Sequence, residues 1–176
     1  MGEDEEEDIK AVLMFGIVAL LLMIPLCSNT MAPEGEILTH MHLTMQARMA
    51  LEEGQFPLRV APVEHHGLRY PVFQFYSSLP YYVSALLYKF VFPANPYKAT
   101  KAVYWLSLVL AGIFAYRLGR ELQFSESSSL IMGLAYVTAP YLLLNLYVRN
   151  HLTELLAQAL LPLLFLCAVR FVEGST

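Results

Sequence analysis

Long apolar stretches with almost no charge most constrain what this chain can fold into. The first, Ala11–Cys27, reads AVLMFGIVALLLMIPLC. The others are Ala102–Leu118, Leu130–Tyr147 and Leu155–Val172. Each approaches the ~20 residues that an α-helix needs to cross a hydrocarbon core about 30 Å thick. The sequence therefore predicts an all-α, polytopic helical membrane protein with about four transmembrane helices.

The overall composition supports this class of protein. Hydrophobic residues make up 57% of the 176 positions and charged residues 15%, whereas soluble domains carry roughly 25% charge. The net charge of −4 and the lack of a Lys/Arg cluster argue against nucleic acid as a partner. The acidic run EDEEED at Glu3–Asp8 is typical of a solvated, disordered tail. An acidic flank is unlike the basic start of a signal peptide, so the first span is expected to be a retained anchor.

These patterns divide the chain into an acidic cytoplasmic tail at 1–10 and a transmembrane module at 11–176. Inside the loop between the first two spans, Ile37–Glu53 is predicted to be an interfacial helix, because Leu38, Met41, Met45 and Met49 recur at helical spacing. The predicted parts of the module are TM1 at 11–27, an outer loop with interfacial helices at 28–98, TM2 at 99–118, TM3 at 129–147 and TM4 at 154–172.

The segment Tyr76–Phe92 decides the predicted topology. It is aromatic and apolar, but it is short and contains Pro80 and Lys89. Segments this short are often interfacial, and its tyrosines suit the headgroup level. If the segment does not cross, the positive residues at the span ends fall on one side, as the positive-inside rule prefers. This arrangement predicts an integral membrane protein with a cytoplasmic N-terminus.

In this topology two outer segments meet at one membrane face, and both carry titratable residues. Glu36 and His40 are four residues apart, so on a helix they share a face and could coordinate a cation together. The cofactor that this pair suggests is a divalent metal ion. The second segment, YVRNHLTE, offers Arg149, His151 and Glu154. Histidine is suited to acid–base work near neutral pH. Two alternatives stay open: the two glutamates as ordinary interfacial helix caps, and Arg149 as a group that reaches a lipid phosphate.

Three stretches resemble the N-terminal part of the C-type (GT-C) membrane glycosyltransferases, and most of all the integral membrane proteins labelled "6-pyruvoyl-tetrahydropterin synthase-related". They are EGEILTHMHLTMQARMALEEGQFPLRVAP (34–62), HGLRYPVFQFYSSLPYYVSALL (66–87) and AYVTAPYLLLNLYVRNHLTELLAQALLPLLF (135–165). The resemblance implies a bacterial or archaeal inner or plasma membrane, and a polyprenyl-phosphate-linked sugar as donor at the outer face of that membrane. Glu36 matches the family's acidic residue of the first outer loop, a base or metal-site carboxylate, with His40 beside it. Glu154 matches the second acidic position, and the expected substrate-binding residues are Arg149, His40 and His151.

Enzymes of this class have more spans than the four expected here. The chain is therefore expected to be a truncated part of a longer enzyme or a shorter relative that works with a larger membrane-protein partner. The alternative function is a non-catalytic integral membrane subunit of a larger complex. A transporter fragment is disfavoured, because the spans contain almost no ionisable residue at mid-bilayer depth.

Overall fold

The computed structural model describes residues 3–26 and 36–174, apart from the side chains of residues 3–5, 65 and 173. Within them the chain is helical, and an isolated bridge between Ala61 and Tyr70 is the one trace of β-structure. Short helical turns occupy Ile24–Leu26, Val72–Gln74 and the π-turn Asn145–Arg149. The α-helices are α1 (Glu3–Met23), α2 (Ile37–Glu52), α3 (Glu64–Gly67), α4 (Leu79–Phe90), α5 (Pro96–Glu121), α6 (Glu126–Val137), α7 (Pro140–Leu144) and α8 (Leu152–Glu173).

Four helical segments are long and apolar enough to cross a membrane, which confirms the all-α polytopic class. They are Glu6–Leu26, Pro96–Glu121, Glu126–Arg149 and Leu152–Val172. Each overlaps a predicted span but extends beyond it at one or both ends. Cys27, the expected end of the first span, lies outside the described residues.

Helix α5 is the centre of the bundle and contacts α1, α2, α4, α6 and α8. Its first turns and the start of α8 lie together, because the Tyr104 hydroxyl donates to the Asn150 carbonyl. The last turn of α1 lies at this end too, where the Tyr147 hydroxyl donates to the Leu22 carbonyl over 2.5 Å. We call this the His151 end, and the end where α1 begins and α5 finishes the Arg117 end. Helices α1 and α6 therefore run antiparallel to α5 and α8.

The acidic run near the N-terminus is helical from Glu3 onward, so the expected disordered tail was wrong for these residues. Acidic side chains favour the first turns of a helix because of its macrodipole. Two of them also have partners on α5: Asp8 lies 2.9 Å from Arg117, and Glu7 lies 3.2 Å from Arg120. The side of the membrane that this end faces stays a prediction.

Within the segment Tyr76–Phe92, the 12 residues Leu79–Phe90 form helix α4, which packs on α2 and α5. At 1.5 Å per residue it extends about 18 Å, well short of a hydrocarbon core. Hydroxyl groups join the three helices, since Thr44 Oγ1 lies 2.9 Å from Ser84 Oγ and 3.1 Å from Thr100 Oγ1. Small polar residues of this kind let helices in membranes approach closely.

The expected methionine stripe is not the face of α2 that packs. Leu38 is 42% exposed, and the three methionines are only partly buried. The buried face carries a set of smaller and polar residues: Ile37, His40, Leu43, Thr44, Gln46, Ala47 and Ala50. The apolar periodicity of the methionines therefore marks the outer side of this helix.

Helix α1 packs on the bundle through the ring of Phe15, which is 1% exposed. A Cβ atom added to Gly112 of α5 would lie 2.4 Å from Phe15 Cδ1, and one added to Gly133 of α6 would lie 2.4 Å from Phe15 Cζ. Both glycines are needed because the ring fills the space that their side chains would take.

We expect Gly112→Ala to lower the free energy of unfolding by about 1–3 kcal/mol, because the new methyl group must displace a buried ring. Thermal unfolding of the purified protein in detergent measures this. Gly16→Ala on α1 is the matched control, since a Cβ there meets nothing within 4 Å. Equal losses of unfolding free energy in the two variants would contradict the packing role of Gly112.

Candidate functional site

The start of α2 and the start of α8 are joined at the His151 end. The Glu36 amide donates to the Arg149 carbonyl over 3.1 Å. Asn150 then takes a left-handed conformation, with φ of 51°, which asparagine tolerates better than most residues. This turn reverses the chain so that His151 caps α8, with the Glu154 amide donating to Nδ1 over 3.4 Å. The two segments with titratable residues therefore meet at this end of the bundle, and that the end faces the outer side stays a prediction.

His40 is fully buried beneath this junction. The Leu152 amide donates to its Nε2 over 3.1 Å, which leaves Nδ1 to carry the ring proton. Nδ1 lies 2.7 Å from the Tyr81 hydroxyl, to which it donates. Burial, with a smaller contribution from His151, lowers the pKa of His40 to about 4. The imidazole is therefore neutral at physiological pH, and it links α2, α4 and α8.

The carboxylate of Glu36 lies between the two histidines. Its Oε2 is 3.5 Å from His151 Nε2 and 3.6 Å from His40 Nε2. The side chain of Glu36 is 45% exposed and that of His151 is 20% exposed, while that of His40 is 0% exposed. The group thus has a buried floor and an open side, and its carboxylate can reach a ligand.

Glu154 is held far more firmly than Glu36. Arg149 Nη1 lies 2.7 Å from Glu154 Oε2, and the Tyr141 hydroxyl donates to Oε1. The same Nη1 donates to Asn145 Oδ1 over 3.0 Å, and Asn145 Nδ2 donates to Gln158 Oε1 over 3.3 Å. This network fixes the guanidinium at the mouth of the bundle. Its contacts among the described residues use Nη1, so the remaining donors of Arg149 are available to an anion.

All five residues singled out from the sequence lie in this cluster. His151 joins its two halves, because its Nδ1 is 3.9 Å from Glu154 Oε2. The sequence reasoning missed Tyr81, which was expected at the headgroup level but is 0% exposed. The sequence reasoning also missed Gln158, which accepts a hydrogen bond from Asn145 and lies one helical turn after Glu154. Spacing along α8 could have found Gln158, but only the packing of α4 on α2 identifies Tyr81.

The Arg117 end contains a cleft of about 770 Å³. Its arginines already face carboxylates: Arg117 and Arg120 pair with α1, and Arg170 lies 2.7 Å from Glu121. Because the charges of this lining are balanced, the cleft lacks the excess positive charge that an anion site needs. The cluster at the His151 end is the better candidate site.

Comparison with protein-family models, curated proteins and solved structures finds no match to this chain. The family resemblance therefore stays a prediction that depends on the three motif stretches.

Tyr81→Phe is expected to destabilise the protein by about 1–3 kcal/mol, because it leaves the buried Nδ1–H of His40 without an acceptor. Thermal unfolding in detergent measures the loss. Tyr76→Phe, at a tyrosine that is 43% exposed, serves as the control and should have little effect. If both variants unfold like the parent protein, the hydrogen bond of His40 does not stabilise the junction.

Proposed function

We propose that this chain is a GT-C-like membrane glycosyltransferase module, or part of a longer enzyme, with Glu36 and Glu154 as the carboxylates of its catalytic centre and Arg149 as a donor-binding residue. The donor is a sugar linked to a polyprenyl phosphate, and the reaction takes place at the outer membrane face. The observation that carries the proposal is the convergence of two carboxylates and an arginine from separate segments at one end of the bundle.

The different surroundings of the two carboxylates support different roles. Glu36 is half-exposed, and among the described residues its side-chain partners are two imidazoles, so it is suited to accept a proton from an acceptor hydroxyl. Glu154 is bound by Arg149 and Tyr141, so it is suited to orient the arginine. In the transfer step the acceptor oxygen bonds to the anomeric carbon as its proton moves to Glu36. The bond from that carbon to the phosphate oxygen breaks, and the polyprenyl phosphate departs with the electron pair.

The remaining guanidinium donors of Arg149 suit the departing phosphate. Fixed cations stabilise charge that develops on a leaving group, and arginine binds phosphate through paired donors. On α8, the helix of Glu154, the apolar residues Leu161, Leu164 and Phe165 are 44%, 64% and 54% exposed. A donor whose tail lies in the bilayer beside α8 can bring its phosphate to the start of that helix.

Glu36→Gln is expected to lower sugar transfer at least ~100-fold, because the amide cannot accept the proton. The assay follows labelled sugar from a panel of polyprenyl-phosphate-linked hexoses and pentoses into native membranes that contain the protein. Glu52→Gln, at an exposed carboxylate of the same helix paired with Arg48, is the matched control and should keep full transfer. Equal transfer by Glu36→Gln and the parent protein would exclude Glu36 as the base.

Glu154→Gln tests the second role separately. We expect it to raise the KM for the lipid-linked donor more than it lowers kcat, because Arg149 loses the charge that orients it. Assembly in the membrane should be unchanged in this variant. If the protein assembles with a larger partner and neither glutamate affects transfer, the non-catalytic subunit is the better description.

A further inference from the structure

The geometry points to a divalent transition-metal site, of the zinc class, formed by Glu36, His40 and His151. Their donor atoms all lie within 4.8 Å of one another. Two of the edges, from Glu36 Oε2 to each Nε2, measure 3.5 and 3.6 Å. In a tetrahedral zinc site with bonds of about 2.0–2.1 Å, neighbouring donors lie about 3.4 Å apart. Small side-chain movements therefore bring all three atoms to bonding distance.

The hydrogen bonds on the far side of each ring support this arrangement. Metal-bound histidines usually donate their other ring N–H to an oxygen, which fixes the ring and its tautomer. His40 Nδ1 donates to Tyr81, as described above. For His151, Thr153 Oγ1 lies 3.1 Å from Nδ1 and can accept a proton from it once the Glu154 amide, which donates to the same atom over 3.4 Å, has released it. With that proton on Nδ1, the Nε2 lone pair of His151 faces Glu36.

The donor set selects the kind of ion. Two imidazoles and one carboxylate suit Zn²⁺ and its neighbours in the first transition row, whereas Mg²⁺ and Ca²⁺ prefer oxygen ligands alone. Three protein ligands leave one tetrahedral position for water or substrate, as in catalytic zinc sites. That position lies on the open side, where Glu36 is half-exposed and His151 is partly exposed. Glu36 binds through Oε2, so its second oxygen stays free to take a proton.

Ion binding requires two exchanges of partners, because the Glu154 amide must release His151 Nδ1 and the Leu152 amide must release His40 Nε2. The lone pair of His40 Nε2 is used by the Leu152 amide, which must release it when the ion binds. Exchange of the Leu152 amide with solvent should therefore become faster in the loaded protein. This site stands on the donor geometry and does not depend on sugar transfer, so its test uses no sugar donor.

The experiment measures Zn²⁺ bound per chain after the purified protein in detergent has been stripped with chelator and dialysed against Zn²⁺. Co²⁺ serves as the spectroscopic probe, because tetrahedral Co²⁺ absorbs strongly in the visible range. We expect about one Zn²⁺ per chain, and an affinity at least ~10-fold weaker in Glu36→Gln and His151→Asn. His151→Asn removes the ligand but keeps a good capping residue at the start of α8.

His42→Gln is the matched control, because His42 lies on the same helix and pairs with Glu64 at 2.6 Å, away from the cluster. It should bind Zn²⁺ like the parent protein. The proposal is overturned if no saturable Zn²⁺ binds at 1:1, or if His42→Gln weakens binding as much as His151→Asn does. A thermal midpoint that rises with Zn²⁺ in the parent protein but not in His151→Asn would independently support the site.

Discussion

The hydrogen bond from the Leu152 amide to His40 Nε2 is the constraint on which the His151 end depends. The first amide groups of a helix have no hydrogen-bond acceptor within that helix. Burying such a group in an apolar environment without an acceptor costs free energy. Here an imidazole from α2 satisfies one of them, and Tyr81 of α4 holds the other side of that imidazole. The same contact therefore completes α8, anchors the two shorter helices and places Glu36 beside His151.

The two charged ends of the bundle differ in the burial and in the partners of their polar side chains. At the Arg117 end, exposed arginines pair with carboxylates of other helices, and such pairs contribute little to stability in water. At the His151 end, the polar groups are partly buried and share partners, so each change alters several contacts. Helix α5 connects both ends and buries several small residues, among them Gly112, on which Phe15 packs. The fold thus separates a well-solvated end from an end at which geometry is tightly controlled.

Apolar length was enough to predict the four spans, because crossing a bilayer depends on a run of side chains that is local in sequence. Within the third span, α6 ends at Val137 and α7 begins at Pro140, since proline cannot continue the preceding hydrogen-bond ladder. The acidic helix at the N-terminus was missed because its partners Arg117 and Arg120 are more than 100 positions away. Tyr81 was missed for the same reason. Its buried partner His40 is on another helix, and an aromatic run alone is equally typical of a membrane interface.

The pair of histidines couples the site to the helix that follows it. Any ligand that takes the Nε2 lone pair of His40 must release the Leu152 amide, and any ligand that moves the proton of His151 to Nδ1 must release the Glu154 amide. Binding at the cluster and capping of α8 therefore use the same lone pairs. By linkage, a ligand that competes for these lone pairs loosens the first turn of α8, and a change that stabilises this turn lowers the affinity for the ligand. Glu154 lies in that turn and Arg149 just before it, so a ligand on the histidines also affects the ion pair between Arg149 and Glu154.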